Sequence, residues 1–114
     1  MKAEMEKSRV LNIVEIIEYV PDSVVIKTII NKTTGNINAV SIDSGEKQKN
    51  KTSPFDKYIQ IIGGNAVVLI DGDSKGLSTG ESIIIPAHSR NSIKTNDGVK
   101  MISTTIKSGY VDVS

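Results

Sequence analysis

The sequence predicts an all-β domain, an antiparallel sandwich or barrel, and three observations predict it. Short runs rich in Ile, Val and Thr recur at a spacing of roughly 8–12 residues. Clusters of Gly, Asn, Asp and Ser divide these runs, and no stretch between them carries a helical period. Aromatic content is 4% and there is no tryptophan, so Ile, Val and Leu must build the core.

The elements follow in chain order. VLNIVEIIEYV (Val10–Val20) is the only candidate for a helix. Val10, Ile13, Val14 and Ile17 fit a period of about 3.6 residues, but Ile16 and Val20 blur it and the β-branched content favours extended backbone. One short helical turn is expected there and no more. VVIKTII (Val24–Ile30), closed by NKTTGN, and INAVSI (Ile37–Ile42), closed by DSGEKQKNKTSP, read as strands. Within that second closure EKQKNK reads as a solvated loop or hairpin edge, where lysines discourage pairing with other chains. KYIQII (Lys57–Ile62) ends at Gly63-Gly64, read as a two-residue hairpin link into AVVLID (Ala66–Asp71). Asp71-Gly72 is the strongest hairpin signal in the chain and leads to a short strand near Ser74–Leu77. SIII (Ser82–Ile85), NSIKT (Asn91–Thr95) and, after Asn96, Asp97 and Gly98, VKMISTTI (Val99–Ile106) complete the set.

Length and composition bound what such a domain can do. A chain of 114 residues holds one core, so residues 1–114 are a single domain, with 1–23 as an N-terminal packing segment, 24–106 as the β domain and 107–114 as a tail. Fourteen basic side chains nearly cancel 13 acidic ones, and a net charge of +1 creates no field that would recruit nucleic acid or an anionic membrane. Lys47, Lys49, Lys51 and Lys57 form a basic cluster, but no aromatic residues interleave it and Asp43, Glu46 and Asp56 offset it, so no nucleic-acid partner is expected. The chain has no cysteine, which excludes a disulfide framework and thiolate chemistry and fits a reducing, cytoplasmic setting. Charges interrupt the N-terminal apolar residues and no A-x-A-like site follows, so neither a signal peptide nor a membrane span is expected. The glycines of GNAVVLIDG and GDSKG lack phosphate-loop spacing and read as hairpin turns.

Two segments resemble the paired motifs of the small single-domain cupins. In the first, Gly45 is followed after five residues by Lys51, then by Ser53 and Asp56, and Gly63 closes the motif after six more. The interval from Ser53 to Asp56 is one residue shorter than the family's commonest form. In the second, GESIIIPAHSRNSI places Gly80, Pro86, His88 and Asn91 where the family has glycine, proline, a second glycine and histidine. The resemblance spans Val24 to Ile106 and implies a double-stranded β-helix, or jelly-roll barrel. It also implies that Lys51, Ser53, Asp56 and Asn91 converge at the barrel mouth, where metal-bearing members carry two histidines, an acid and a third histidine.

Those four residues are poor metal ligands. Lysine is a cation near neutral pH, serine is a weak neutral donor, and asparagine offers a carbonyl suited to hard ions. Transition-metal sites want at least about three strong protein ligands, so no metal and no cofactor are expected. His88 occupies the turn position of the Pro-x-Gly glycine, where histidine is moderately tolerated at positive φ. It reads either as a binding or acid–base group at the rim or as a surface turn residue. The resulting expectation is a metal-free barrel, structural or ligand-binding, that pairs as a homodimer and takes a small polar or anionic ligand through Lys51, Arg90 and Asn91. The alternative is an enzyme of isomerase, lyase or dioxygenase type acting on a small polar or anionic metabolite, with Asp56 or His88 as base or as metal ligands.

Overall fold

The computed structural model describes residues 4–50 and 52–109. Lys51 and both chain ends, with parts of the expected N-terminal segment and tail, lie outside the described residues. Eight strands form: β1 (Val24–Lys32), β2 (Gly35–Ile42), β3 (Lys47–Asn50), β4 (Asp56–Ile70), β5 (Asp73–Ser78), β6 (Ser82–Ile85), β7 (Asn91–Lys94) and β8 (Val99–Ile106). The pairings are antiparallel throughout, as the sequence predicts for an all-β barrel. No helix forms among the described residues; Ile16 N–H donates to the Asn12 carbonyl at 3.1 Å, a single turn that does not continue.

The organising element is β4, 15 residues long. Its first half pairs with β8 and β6, and its second half pairs with β7 and β5, so one strand passes from one sheet to the other. This corrects the hairpin expected at Gly63-Gly64. The pairing with β8 instead shifts between Ile61 and Gly63, leaving Ile62 as an extra residue, a β-bulge. Gly64 supplies the backbone freedom with φ of 85° and packs against the Gly98–Val99 turn. Asp71-Gly72 does make a hairpin, both residues having positive φ, 47° and 91°, the type I′ geometry that follows strand twist.

The bulge resets the alternation of side chains. Before it, Ile59 and Ile61 face the interior; after it, Ala66 and Val68 do. These residues pack with Val40, Ile42, Leu77, Ile85, Ile93, Val99 and Met101 in the main core. A second, smaller core lies on the outer face of β2 and β8, where Ile17 of the N-terminal segment is 3% exposed against Ala39 and Ile102. Ser41 Oγ donates to the Glu18 carbonyl at 2.8 Å, Lys100 Nζ donates to the Val14 carbonyl at 2.9 Å, and the Lys100 ammonium lies 5.2 Å from the Tyr19 ring centroid. The segment is thereby fastened to the sheet by burial and by two polar contacts.

The polar run expected to be a solvated loop or hairpin edge contains β3, an edge strand paired with β7. Gln48 and Asn50 face inward beside Ile93 and Asn91, whereas Lys47 and Lys49 face solvent. No helix among the described residues is long and apolar enough to cross a membrane.

Candidate functional site

Strand register and alternation fix what faces the barrel interior. Across β2, β8 and β4, Val40, Met101 and Ile61 stand side by side, the next row is Asn38, Ser103 and Ile59, and the row beyond is Asn36, Thr105 and Lys57. Ile85 of β6 pairs with Lys57 and completes that last row. The interior therefore changes from wholly apolar to amides, hydroxyls and one ammonium within three rows. On the opposite sheet the matching row is Asn50, Asn91 and Ile70, with Asn50 Nδ2 donating to Asn91 Oδ1 at 2.6 Å. The connections between Asn50 and Asp56 and between Ile85 and Asn91 join the two polar rows, so both stand at the same end of the barrel, its mouth.

Lys57 is the one charged side chain in these rows. It shares the inward side with Ile59 and Ile61, is half-buried, and makes no hydrogen bond or ion pair among the described residues. Burial lowers its pKa below the ordinary lysine value, and no carboxylate of the described residues offsets that effect. No buried side-chain nitrogen or oxygen of the described residues lacks a partner, so an unbonded Nζ is not sealed from solvent.

The residues expected at the site separate into two groups. In the first, Asp56 lies on the outer side with Tyr58 and Gln60 by alternation, and its Oδ1 accepts the Ala87 N–H at 2.8 Å. His88 N–H donates to the Ser53 carbonyl at 2.6 Å, and Ser53 Oγ accepts the Phe55 N–H at 3.2 Å. These contacts close the loops at the mouth. His88 is exposed with φ of 66°, the left-handed conformation its turn position calls for. In the second group, Asn91 faces inward with Asn50 by alternation, whereas Arg90 N–H donates to Asp71 Oδ1 at 2.8 Å and Arg90 lines a groove of about 610 Å³ with Lys47, Lys49, Leu69 and Ser92, whose edge also includes Asn50 and Asn91. Lys49, Ser92 and Leu69 form one row opposite in facing to the core, so this groove is on the outside of the barrel. Lys51 lies outside the described residues.

The inward position expected for Asp56 therefore belongs to its neighbour. Counted back from Gly64, the glycine that has positive φ, the same six-residue interval ends on Lys57. The alternation in KYIQII could have revealed this, because Lys57 shares its parity with two isoleucines.

Metal-bearing cupins offer histidines and an acid at the mouth, and the residues here do not fit that requirement. Asn36, Asn38, Asn50, Asn91, Ser103 and Thr105 are neutral oxygen and nitrogen donors, and Lys57 brings positive charge into the same space. Among the described residues no three His, Cys, Asp or Glu side chains come together. What the arrangement can do is donate hydrogen bonds and attract negative charge.

No protein-family model matches the chain, and no curated protein matches it. Solved structures do. A conserved Streptococcus pyogenes protein of unknown function superimposes with a TM-score of 0.85 at 21% identity over 94% of each chain. A cupin superfamily protein of Desulfitobacterium hafniense gives 0.84 at 21% identity, over 95% of this chain and 99% of its own. A cupin 2 conserved barrel domain protein of Leptotrichia buccalis gives 0.88 at 21% identity, over all of this chain and 59% of its own. At these identities the likeness concerns the fold, and the fold of this chain is the cupin barrel.

Proposed function

We propose that this protein is a metal-free binding barrel that takes a small anionic ligand at its mouth, with Lys57 supplying the charge. One observation carries the reading: a half-buried lysine faces the interior of the barrel among neutral donors, with no ion pair to a carboxylate of the described residues. An ammonium held away from bulk water attracts an anion more strongly than a surface lysine does, because the surrounding dielectric is lower. Asn36 and Thr105 in the same row, and Asn50 and Asn91 opposite, offer hydrogen bonds that orient the ligand.

The barrel is proposed to act as a homodimer in the cytoplasm. Support for pairing is the outer face of β4, β6 and β8, where Tyr58, Ile84 and Ile106 are exposed together, Ile84 at 62%. The absence of cysteine supports the compartment.

The test is a titration of isotopically labelled protein with small carboxylates and with inorganic phosphate, followed by NMR. Amide shifts are expected at Lys57, Thr105 and Asn36, and Lys57→Met should weaken binding by roughly 10- to 100-fold, the worth of one hydrogen bond to a charged group. Shifts confined to the outer Lys47–Lys49–Arg90 groove, or none with any anion, would overturn the reading.

A further inference from the structure

We propose that Lys57 is also a covalent anchor: its amine condenses with a small polar carbonyl compound, an aldehyde or ketone carrying a carboxylate or hydroxyl group, to form a reversible imine inside the barrel. The proposal rests on the binding reading above and names the ligand class more narrowly. Three features of the geometry carry it. By strand alternation the side chain lies on the inward side of β4 at the polar end of the barrel, and its nitrogen, unbonded to any described residue, is not sealed from solvent. No hydrogen bond or ion pair with a described residue engages Nζ, so the lone pair is available once the proton leaves. Its flanking side chains in the row are Thr105, which can donate to or accept from a reacting oxygen, and Ile85, which is 2% exposed and limits water on that side.

The step balances without any further reactant. Nζ releases a proton to solvent, and the neutral amine attacks the carbonyl carbon, forming the C–N bond as the carbonyl π electrons move to oxygen. A proton passes from nitrogen to that oxygen to give a carbinolamine, placed by the row to bond with Thr105 and Asn36. The C–O bond then breaks with departure of water, leaving the C=N bond of the imine. Nothing is oxidised or reduced. Each unit by which burial lowers the amine's pKa makes the neutral, nucleophilic fraction at neutral pH about tenfold larger. Lys27, Lys47 and Lys49, by contrast, stand exposed on the outside of the barrel.

The experiment uses the full chain with glyoxylate, which carries both an aldehyde and a carboxylate. Borohydride reduction converts any imine to a stable secondary amine, and peptide mass mapping locates it. Lys57 should carry the dominant adduct, in clear excess over any exposed lysine. Lys57→Arg should lose that adduct, and glycolate, an anion of the same size without the carbonyl group, should compete with glyoxylate and lower the adduct on Lys57 of the parent. Adduct spread over the exposed lysines with no excess at Lys57 would overturn the proposal. If glycolate shifts the Lys57 row in NMR but glyoxylate leaves no reduced adduct there, the imine fails and the binding barrel stands. If neither molecule perturbs that row and no adduct forms, both fall.

Discussion

Gly64→Ala should be the costliest single methyl addition among the β4 glycines, and the reason is the bulge that sets which residues face the mouth. Gly64 has φ of 85°, where an L-residue pays roughly 1–2 kcal/mol for the approach of Cβ to its own backbone. A Cβ there would also run into the Gly98 carbonyl oxygen and lie 3.1 Å from both the Gly98 carbonyl carbon and Val99 Cα. All three atoms are backbone and cannot rotate away, so β4 and β8 must separate. Such overpacking costs about 1–3 kcal/mol. The two effects together amount to about 2–5 kcal/mol, against a total stability of about 5–15 kcal/mol for a domain. Gly63 is the internal control. It has no positive φ, and the nearest atom to an added Cβ is Lys100 Cβ at 3.9 Å, an ordinary contact. Gly63→Ala should therefore stay within about 0.5 kcal/mol of the parent or gain slightly from reduced freedom of the unfolded chain. Urea unfolding followed by circular dichroism measures both, and the melting temperature should fall by roughly 8–20 °C for Gly64→Ala alone. Equal losses at the two glycines, or a loss under about 0.5 kcal/mol at Gly64, would refute the assignment of the bulge and of the inward register that follows from it.

Two further predictions concern Lys57 and the outer face. Lys57 has its pKa lowered by burial, so between that folded value and about 10.4 the unfolded chain binds more protons than the folded one, and stability rises with pH through that window. Asn36, Thr105 and Ile85 on the adjoining strands and Asn50 and Asn91 opposite carry no charge. Lys57→Met should therefore be more stable than the parent at neutral pH, by a margin that shrinks toward pH about 10; comparing the pair removes the opposing contribution of Tyr19, whose pKa burial raises. A margin that is constant with pH would show that Lys57 is not desolvated. For the outer face, size-exclusion chromatography with light scattering should give twice the 12.3 kDa chain mass, and Ile84→Asp should return it to one; a monomeric parent at high micromolar concentration removes the homodimer.

The strands with β-branched runs were legible because their residues satisfy local preference and burial together: Val24–Ile30, Ile37–Ile42 and Val99–Ile106 lie within β1, β2 and β8. β3 was not, because KQKN has little intrinsic preference for a strand. Its conformation comes from pairing with β7, which no local pattern announces. The two glycines at 63 and 64 spell a hairpin or a bulge equally well in sequence, and packing of Gly64 on the Gly98–Val99 turn decides between them. That ambiguity of one residue also moved the inward position by one, from Lys57 to Asp56, since a one-residue shift exchanges the two faces of a strand. The turn at His88 was legible from spacing, whereas the outward course of Arg90 depends on its backbone hydrogen bonds with Asp71.

The mouth and the turns that frame it obey separate physical demands. Gly80 and His88 hold their turns at positive φ, and Asp56 accepts the Ala87 N–H from the outer side of β4. The interior rows are then free to differ in charge without disturbing the frame. A barrel with three or four strong donors at the mouth gathers negative charge and selects a cation; one with Lys57 among amides and hydroxyls is predicted to favour the opposite sign. Partial burial, which makes the ammonium costly to keep charged, also strengthens its attraction to an anion and raises the share of its neutral, nucleophilic form. Desolvation of that one side chain thus favours both the proposed capture of an anion and the proposed bond to a carbonyl carbon, and a ligand bearing both groups is the one predicted to be held most firmly.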